Sequence, residues 1–322
     1  MRGHQLKGKC RQKVLIGFQC LPATVPALFC CFLWGSAFPF IKLGYQYLYI
    51  SSGDVGSQIV FAGIRFMIAG ILVILFGSIA NRKFLRITAG NVKPIIVLAA
   101  VQTVLQYFFF YIGLAHTTGV KGSIITGAGS LLAVLFACLL FRMEKFSFRK
   151  VLGCVIGFAG VIIVNWSKET FSFDMSLCGE GFVFLSAVSY AFSTIFIKRF
   201  SQQERPETLS GYQFLTGGFV LSLIGYLLGG KLEKSALLHP GALAVLLYLG
   251  LLSAVAYTLW GILLKRYSVG KIAVFGFSIP AFGVLLSAFI LGEQGQVLGI
   301  YGVAAVCFVC SGIWLVNTSA RG

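Results

Sequence analysis

Along most of the chain, polar positions are confined to short breaks between long apolar runs instead of alternating with apolar ones. The runs fall near 25–46, 58–78, 94–115, 119–141, 150–166, 179–198, 209–229, 242–263, 270–291 and 297–316. Each reaches the ~17 residues that a helix needs to cross a hydrocarbon core. The breaks between them are too short to hold a soluble domain. The pattern therefore predicts an all-α membrane protein with ten transmembrane helices.

Two of the runs read alike. Leu33-Trp34-Gly35-Ser36-Ala37-Phe38-Pro39-Phe40-Ile41-Lys42 returns in diverged form as Ser189-Tyr190-Ala191-Phe192-Ser193-Thr194-Ile195-Phe196-Ile197-Lys198. Trp34 aligns with Tyr190, small residues align with small ones, and Phe-Ile-Lys closes both copies. At a slightly shorter spacing Tyr111 matches Trp260, Val120 matches Val269, Gly127 matches Gly276 and Glu144 matches Glu293. Self-similarity on this scale marks two repeats of five helices. The expected organisation is a basic leader over 1–24, a first repeat over 25–166, a linker over 167–178 containing Ser167-Lys168-Glu169-Thr170, a second repeat over 179–317 and a tail over 318–322.

The order of runs, the Leu33-Trp34-Gly35-Ser36 motif, Gly63-Ile64-Arg65-Phe66 in the second run, and Glu144 and Glu293 closing the fourth and ninth runs resemble the drug/metabolite transporter superfamily. The chain looks most like its EamA-type members, in which two such repeats are fused. The resemblance covers nearly the whole sequence and implies a ten-helix transporter of small solutes. One departure concerns proline. Such proteins often carry it in both the fourth and ninth helices, whereas here Pro280 faces Leu131 at the matching place.

Composition agrees with lipid as the solvent. Hydrophobic residues make up 58% of 322 positions and charged ones 11%, against roughly 25% charged in soluble domains. The net charge of +17 is scattered over short loops, so it builds no face for nucleic acid, and none is expected as a partner. Its placement reports orientation instead. With the N-terminus in the cytoplasm, twenty Lys and Arg fall in cytoplasmic segments and five outside, namely Lys42, Lys121, Lys168, Lys231 and Lys234. A bias of that size predicts a multi-pass protein of the cell (plasma) membrane with both termini cytoplasmic. Five spans per repeat is an odd number, so the repeats should be inverted relative to each other.

Pro39 and Pro280 sit centrally in the first and ninth runs, and each removes a backbone hydrogen bond to a residue four places earlier, Gly35 and Gly276. Helix breaks are expected there, either lining a mid-membrane site or serving as packing kinks. Substrate-binding candidates are Trp34, Ser36, Gln106, Tyr107, Tyr190, Ser193, Tyr257 and Trp260, from the first, third, sixth and eighth helices. Gln102 and Gln106 are four apart beside Tyr107 and Tyr111, a face suited either to interhelical hydrogen bonds or to a polar cavity. Arg65 lies inside an apolar run, where an arginine costs ~2.5 to 3.5 kcal/mol. It either contacts an anionic group of the solute, or snorkels, or bonds to a neighbouring helix end. The small residues of the fourth helix make it and the ninth candidates for moving elements. Gly153 and Gly157 form a GxxxG suited to packing within one chain, with a homodimer as the other option.

Nine cysteines are scattered mostly within spans and read as apolar fillers. Cys307 and Cys310 form a CxxC inside a lipid-embedded run with no histidine near in sequence, so no metal or other cofactor is expected. Acids lie in loops or at helix ends and none at mid-span, and Glu180 opens the sixth helix as a cap. No converging set of acid, base and metal ligands suggests an enzyme. The reading that follows is a secondary transporter, an exporter, of small neutral, zwitterionic or weakly anionic metabolites such as amino acids, working by alternating access. The alternatives are a membrane component that flips lipid-linked sugars and a membrane enzyme acting on lipid-linked substrates. The enzyme would need acidic clusters in sizeable loops.

The orientation makes a prediction about Cys178, which precedes the sixth helix. It should react with an impermeant thiol reagent on intact cells. Labelling of Cys10 or Cys20 from outside, persisting after Cys178→Ser, would reverse the topology.

Overall fold

The computed structural model describes residues 22–117, 119–164, 176–291 and 300–318. Most of the leader, most of the linker, Glu293 and the end of the tail lie outside the described residues. Helix α1 spans Thr24–Tyr47, α2 Val55–Asn81, α3 Ala89–Ala115, α4 Gly119–Leu135 with a π turn over Phe136–Leu140, and α5 Phe148–Val164. The second set is α6 over Leu177–Phe200, α7 over Pro206–Leu227, α8 over Pro240–Arg266, α9 over 269–291 and α10 over Ile300–Thr318. Among the described residues seven of these, α1 to α4, α6, α8 and α9, are long and apolar enough to cross a membrane on their own account. The shorter α5 and the more polar α7, which carries Tyr212, Gln213 and Thr216, sit among them.

The helix ends follow local chemistry. Asp54 accepts a hydrogen bond from Ser57 N at 2.9 Å and starts α2 three residues before the apolar run begins. Arg82 closes the same helix in the left-handed conformation, with φ of 51°. Asn91 Oδ1 accepts from Thr88 N at 2.9 Å to open α3. Pro206 and Pro240 stand in the first turns of α7 and α8, where a missing N–H costs nothing.

Packing repeats with the sequence. Helix α1 lies against α8 and α9, and its counterpart α6 lies against α3 and α4. Helix α2 pairs with its own counterpart α7, and α5 pairs with α10. The α2–α7 contact is made by glycines seven residues apart on each helix, Gly56, Gly63 and Gly70 against Gly225, Gly218 and Gly211. A Cβ on Gly63 would fall 2.7 Å from the Gly218 carbonyl oxygen, and one on Gly218 would fall 2.7 Å from the Gly63 carbonyl oxygen. The flanking contacts are equally close, 2.7 Å from Gly70 to the Gly211 oxygen and 2.8 Å from Gly225 to the Gly56 oxygen. Pairing in reverse order makes the two helices antiparallel. A pseudo-two-fold axis therefore passes between Gly63 and Gly218, perpendicular to both, and the fold is two inverted five-helix repeats. The α5–α10 seam is similar: a Cβ on Gly153 would lie 2.9 Å from the Gly312 oxygen. The Gly153 and Gly157 pair is thus used for packing within the chain.

The two expected helix breaks come out differently. Helix α9 changes to a 3-10 turn over Val274–Phe277 that contains Gly276, then resumes at Ser278 two residues before Pro280. Helix α1, in contrast, runs unbroken through Gly35 and Pro39. Gly35 serves close packing there, because a Cβ on it would lie 2.5 Å from Phe282 Cβ and 2.9 Å from Gly283 N of α9. Helix α4, which lacks the matching proline, is also continuous to Leu135.

Replacing Gly63 by Val should force α2 and α7 apart at the axis and cost about 1 to 3 kcal/mol or more, as overpacking does. Gly53→Ala, with nothing within 4 Å of its added carbon, should be neutral. Thermal unfolding of both variants in detergent, followed by size-exclusion chromatography, measures the difference. Equal melting would show that the crossing is not tight.

Candidate functional site

The inverted packing brings α1, α2, α3, α7 and α8 together around one aromatic cluster. Trp34 of α1 meets Tyr257 and Trp260 of α8 edge-on, each with ring centroids 5.0 Å apart. Tyr257 continues to Phe214 of α7 at 5.0 Å, and Phe214 stacks on Phe66 of α2 at 5.2 Å. Tyr107 of α3 closes the ring, 4.6 Å from Phe66 and joined to Tyr257 by a hydroxyl–hydroxyl hydrogen bond of 2.7 Å. That bond spans the two repeats.

Arg65 lies inside this cluster with 4% of its surface exposed. Snorkelling is therefore not its role, and among the described residues no carboxylate lies within 4.0 Å of it. Its guanidinium carbon sits 4.6 Å from the Phe66 ring centroid and 5.5 Å from that of Tyr107. The phenols of Tyr111, Tyr107, Tyr257 and Tyr45 are all close enough to interact with it electrostatically. Cation–π contacts of this kind contribute ~0.5 to 2 kcal/mol each, which offsets only part of the cost of a buried charge.

Several buried polar atoms in this region have no hydrogen-bond partner: Arg65 Nε, Trp34 Nε1, Trp260 Nε1, Gln106 Oε1 and Tyr190 OH. Buried polar groups are nearly always paired, so such a concentration calls for an explanation. Tyr190 of α6 extends the group toward α4 and α9, its hydroxyl 3.8 Å from where a Cβ on Gly276 would lie, beside Ser130. It is also within electrostatic range of Tyr107 and Tyr257.

A local irregularity of α3 sets up part of this arrangement. A π turn over Ala99–Leu105 ends immediately before Gln106. Gln102, within the turn, accepts from Gln213 Nε2 of α7 at 3.1 Å, while Thr103 donates to Gln213 Oε1 at 2.7 Å. The two glutamines thus divide: Gln102 makes an interhelical hydrogen bond, and Gln106 keeps an unpartnered oxygen. Such single π turns inside α-helices recur at functional sites.

Among the residues singled out from the sequence, Trp34, Tyr107, Tyr257 and Trp260 touch in one cluster, and Tyr190 lies nearby. Ser36 points elsewhere, its hydroxyl 2.7 Å from both the Leu33 carbonyl and Tyr248 OH. Ser193 is fully buried and donates to the Tyr190 carbonyl of its own helix at 2.8 Å. Tyr45, Phe66 and Phe214 also belong to this region and are not among the binding candidates drawn from the sequence. Tyr45 was recoverable, since it lies eleven residues, or three helical turns, after Trp34 on the same face.

The acids at the ends hold the repeats to one another. Glu180 accepts from Ser176 N at 2.9 Å, from Thr117 Oγ1 at 2.7 Å and pairs with Lys121 at 3.2 Å. It caps α6 and also ties that helix to the α3–α4 turn. At the other end Glu144 pairs with Lys150 at 2.9 Å and accepts from Gly270 N at 3.0 Å in the first turn of α9. Lys198, the end of the repeated triplet, donates to the carbonyls of Tyr267 at 2.9 Å and Lys265 at 3.4 Å, satisfying the C-terminus of α8.

A ten-helix inverted repeat with a buried, polar-tipped aromatic cluster between its halves suits a membrane transporter, and comparison with known proteins gives its family. The EamA-like transporter family matches residues 22–166 and again 177–318. The chain belongs to that family. An uncharacterized transporter of Archaeoglobus fulgidus is 25% identical over 281 residues, covering 84% of this chain and 92% of its own length. The uncharacterized transporter YvbV of Bacillus subtilis is 26% identical over 305 residues, covering 94% of each. A solved crystal structure matches the fold with a TM-score of 0.70 at 18% identity, over 92% of this chain and 98% of its own.

If the aromatic cluster holds the solute, Trp34→Ala and Trp260→Ala should each weaken solute binding about 10-fold or more while leaving membrane insertion intact, as loss of ~1.4 kcal/mol of aromatic contact would. Tryptophan-fluorescence titration and transport kinetics of the purified variants check this. Wild-type values in both would remove the cluster from the site.

Proposed function

We propose that this protein is a secondary transporter, an exporter, that moves small neutral, zwitterionic or weakly anionic metabolites such as amino acids across the cell membrane by alternating access. The observation that carries the reading is the set of unpartnered buried polar atoms around the aromatic cluster, on Arg65, Trp34, Trp260, Gln106 and Tyr190. They supply donors for an anionic or carbonyl group and an acceptor for an ammonium or hydroxyl group, beside rings that hold an apolar body. The solute lies between the repeats and meets α1, α2, α3 and α8. In this reading Ser36 and Ser193 shape the helices rather than touching the solute.

Both termini face the cytoplasm, in keeping with the basic loops. Alternating access is a rocking of one repeat against the other around the Gly63–Gly218 crossing, with α4 and α9 as the elements that tilt most. The end contacts of Glu180 and Glu144 break and re-form as access changes. The chamber holds a fixed positive charge, and the acids described stand at helix ends or in loops. Exchange of a proton for a cation at mid-membrane thus has no carboxylate to work through.

Purified protein in liposomes should show saturable counterflow of labelled amino acids that changes little when a pH step is imposed. Expressing cells should gain no resistance to quaternary ammonium compounds. Flux that depends strongly on the pH step and is abolished by Glu180→Gln would make the outer glutamate a coupling group, and drug resistance would overturn the solute class.

A further inference from the structure

Arg65 has a consequence for how the carrier returns after releasing its load. It is the eleventh residue of the 27 in α2, 4% exposed, lies against the rings of Phe66 and Tyr107, and is within electrostatic range of the phenols of Tyr45, Tyr111 and Tyr257. All of these neighbours are neutral. Its Nε has no acceptor, and among the described residues no carboxylate pairs with it. Any alternating mechanism must pass through a state in which this site is shut off from water on both sides. With a carboxylate bound, the enclosed pair is close to neutral, and its formation is favoured in a low dielectric. Without one, a bare cation must be carried through the same enclosed state, where charge is most costly.

Resting on the transporter reading, we propose that Arg65 is the fixed counter-charge for a carboxylate anion and that the protein works as an anion exchanger, one monocarboxylate outward for another inward. This narrows the solute to anions whose carboxylate meets Arg65 and whose apolar body lies against Trp34, Tyr257 and Trp260. A zwitterion would add a second cation to a chamber that holds no carboxylate, so it is the poorer load. The loaded carrier crosses readily in both directions, the empty one slowly. One-for-one exchange moves no net charge and is indifferent to membrane potential.

The probe is labelled phenylpyruvate, an aromatic monocarboxylate that is ionised at neutral pH, in liposomes containing the full-length protein. Initial uptake should be at least about tenfold faster into vesicles preloaded with unlabelled phenylpyruvate than into vesicles holding buffer alone. The faster rate should not change when the potential is clamped with potassium and valinomycin. Arg65→Gln, first checked for a monodisperse size-exclusion profile, should lose that acceleration, and Arg65→Lys, which keeps the charge, should retain part of it. Equal rates with and without preloading would overturn the exchange proposal while leaving a transporter in place. Undiminished acceleration in Arg65→Gln would overturn the role of Arg65. Counterflow of L-phenylalanine but not of phenylpyruvate would reject the anion class alone, and movement of neither in any arm would reject the transporter reading with it.

Discussion

In lipid, helices gain nothing by burying apolar side chains against one another that they would not gain from the bilayer. What holds two of them together is close approach of their backbones. The α2–α7 crossing applies this constraint on the pseudo-two-fold axis itself, where the carbonyl of Gly63 fills the space a side chain on Gly218 would need, and the reverse. Everything else is placed by that contact. Once α2 and α7 are antiparallel and nearly touching, α1 must lie on α8 and α9, and α6 on α3 and α4, because the same surfaces are repeated on the other side of the axis.

The scaffold is symmetric and the contents of the site are not. Trp34 and Tyr190 are equivalent by repeat, yet Trp34 stands edge-on to Tyr257 and Trp260 while Tyr190 faces Ser130 and Gly276. Arg65 has a valine, Val220, at the equivalent place in α7, and that valine is 41% exposed on the outer surface. A duplicated framework thus carries two copies of one helix arrangement, and substitutions within one copy place a single charge in the aromatic cluster. The neutral helix pair at the axis and the charged side chain just beside it perform separate tasks on the same helix.

Much of the architecture was legible in the chain because lipid imposes simple rules. Ten apolar runs became ten helices, and the odd number of spans per repeat required inversion, whereas the role of the α2 and α7 glycines at the axis emerged only from their packing. Part of the site was legible as well, since aromatic residues with polar tips at helical spacing, such as Tyr257 and Trp260, can share only one face. Other features depended on contacts that no local pattern encodes. Ser36 lies two residues from Trp34, hence on another face of α1, and finds Tyr248 there. Pro39 suggested a break that the packing of Gly35 against Phe282 and Gly283 does not require. Glu144 looked like the end of a turn, and its bond to Gly270 N became visible only when distant loops met.

The π turn of α3 sets the register of the helix that follows it. From Ala99 to Leu105 the helix holds more chain than its axial length needs, and the surplus ends where Gln106 and Tyr107 reach the aromatic cluster. Wound as ordinary α-helix, the same residues would have no wide turn to absorb the surplus, and all that follows would be rotated by about 100°. Tyr107 would leave Tyr257, and its place would pass to the preceding residue, Gln106. In this segment the winding of the chain, more than the identity of any one residue, decides which side chain joins the aromatic cluster.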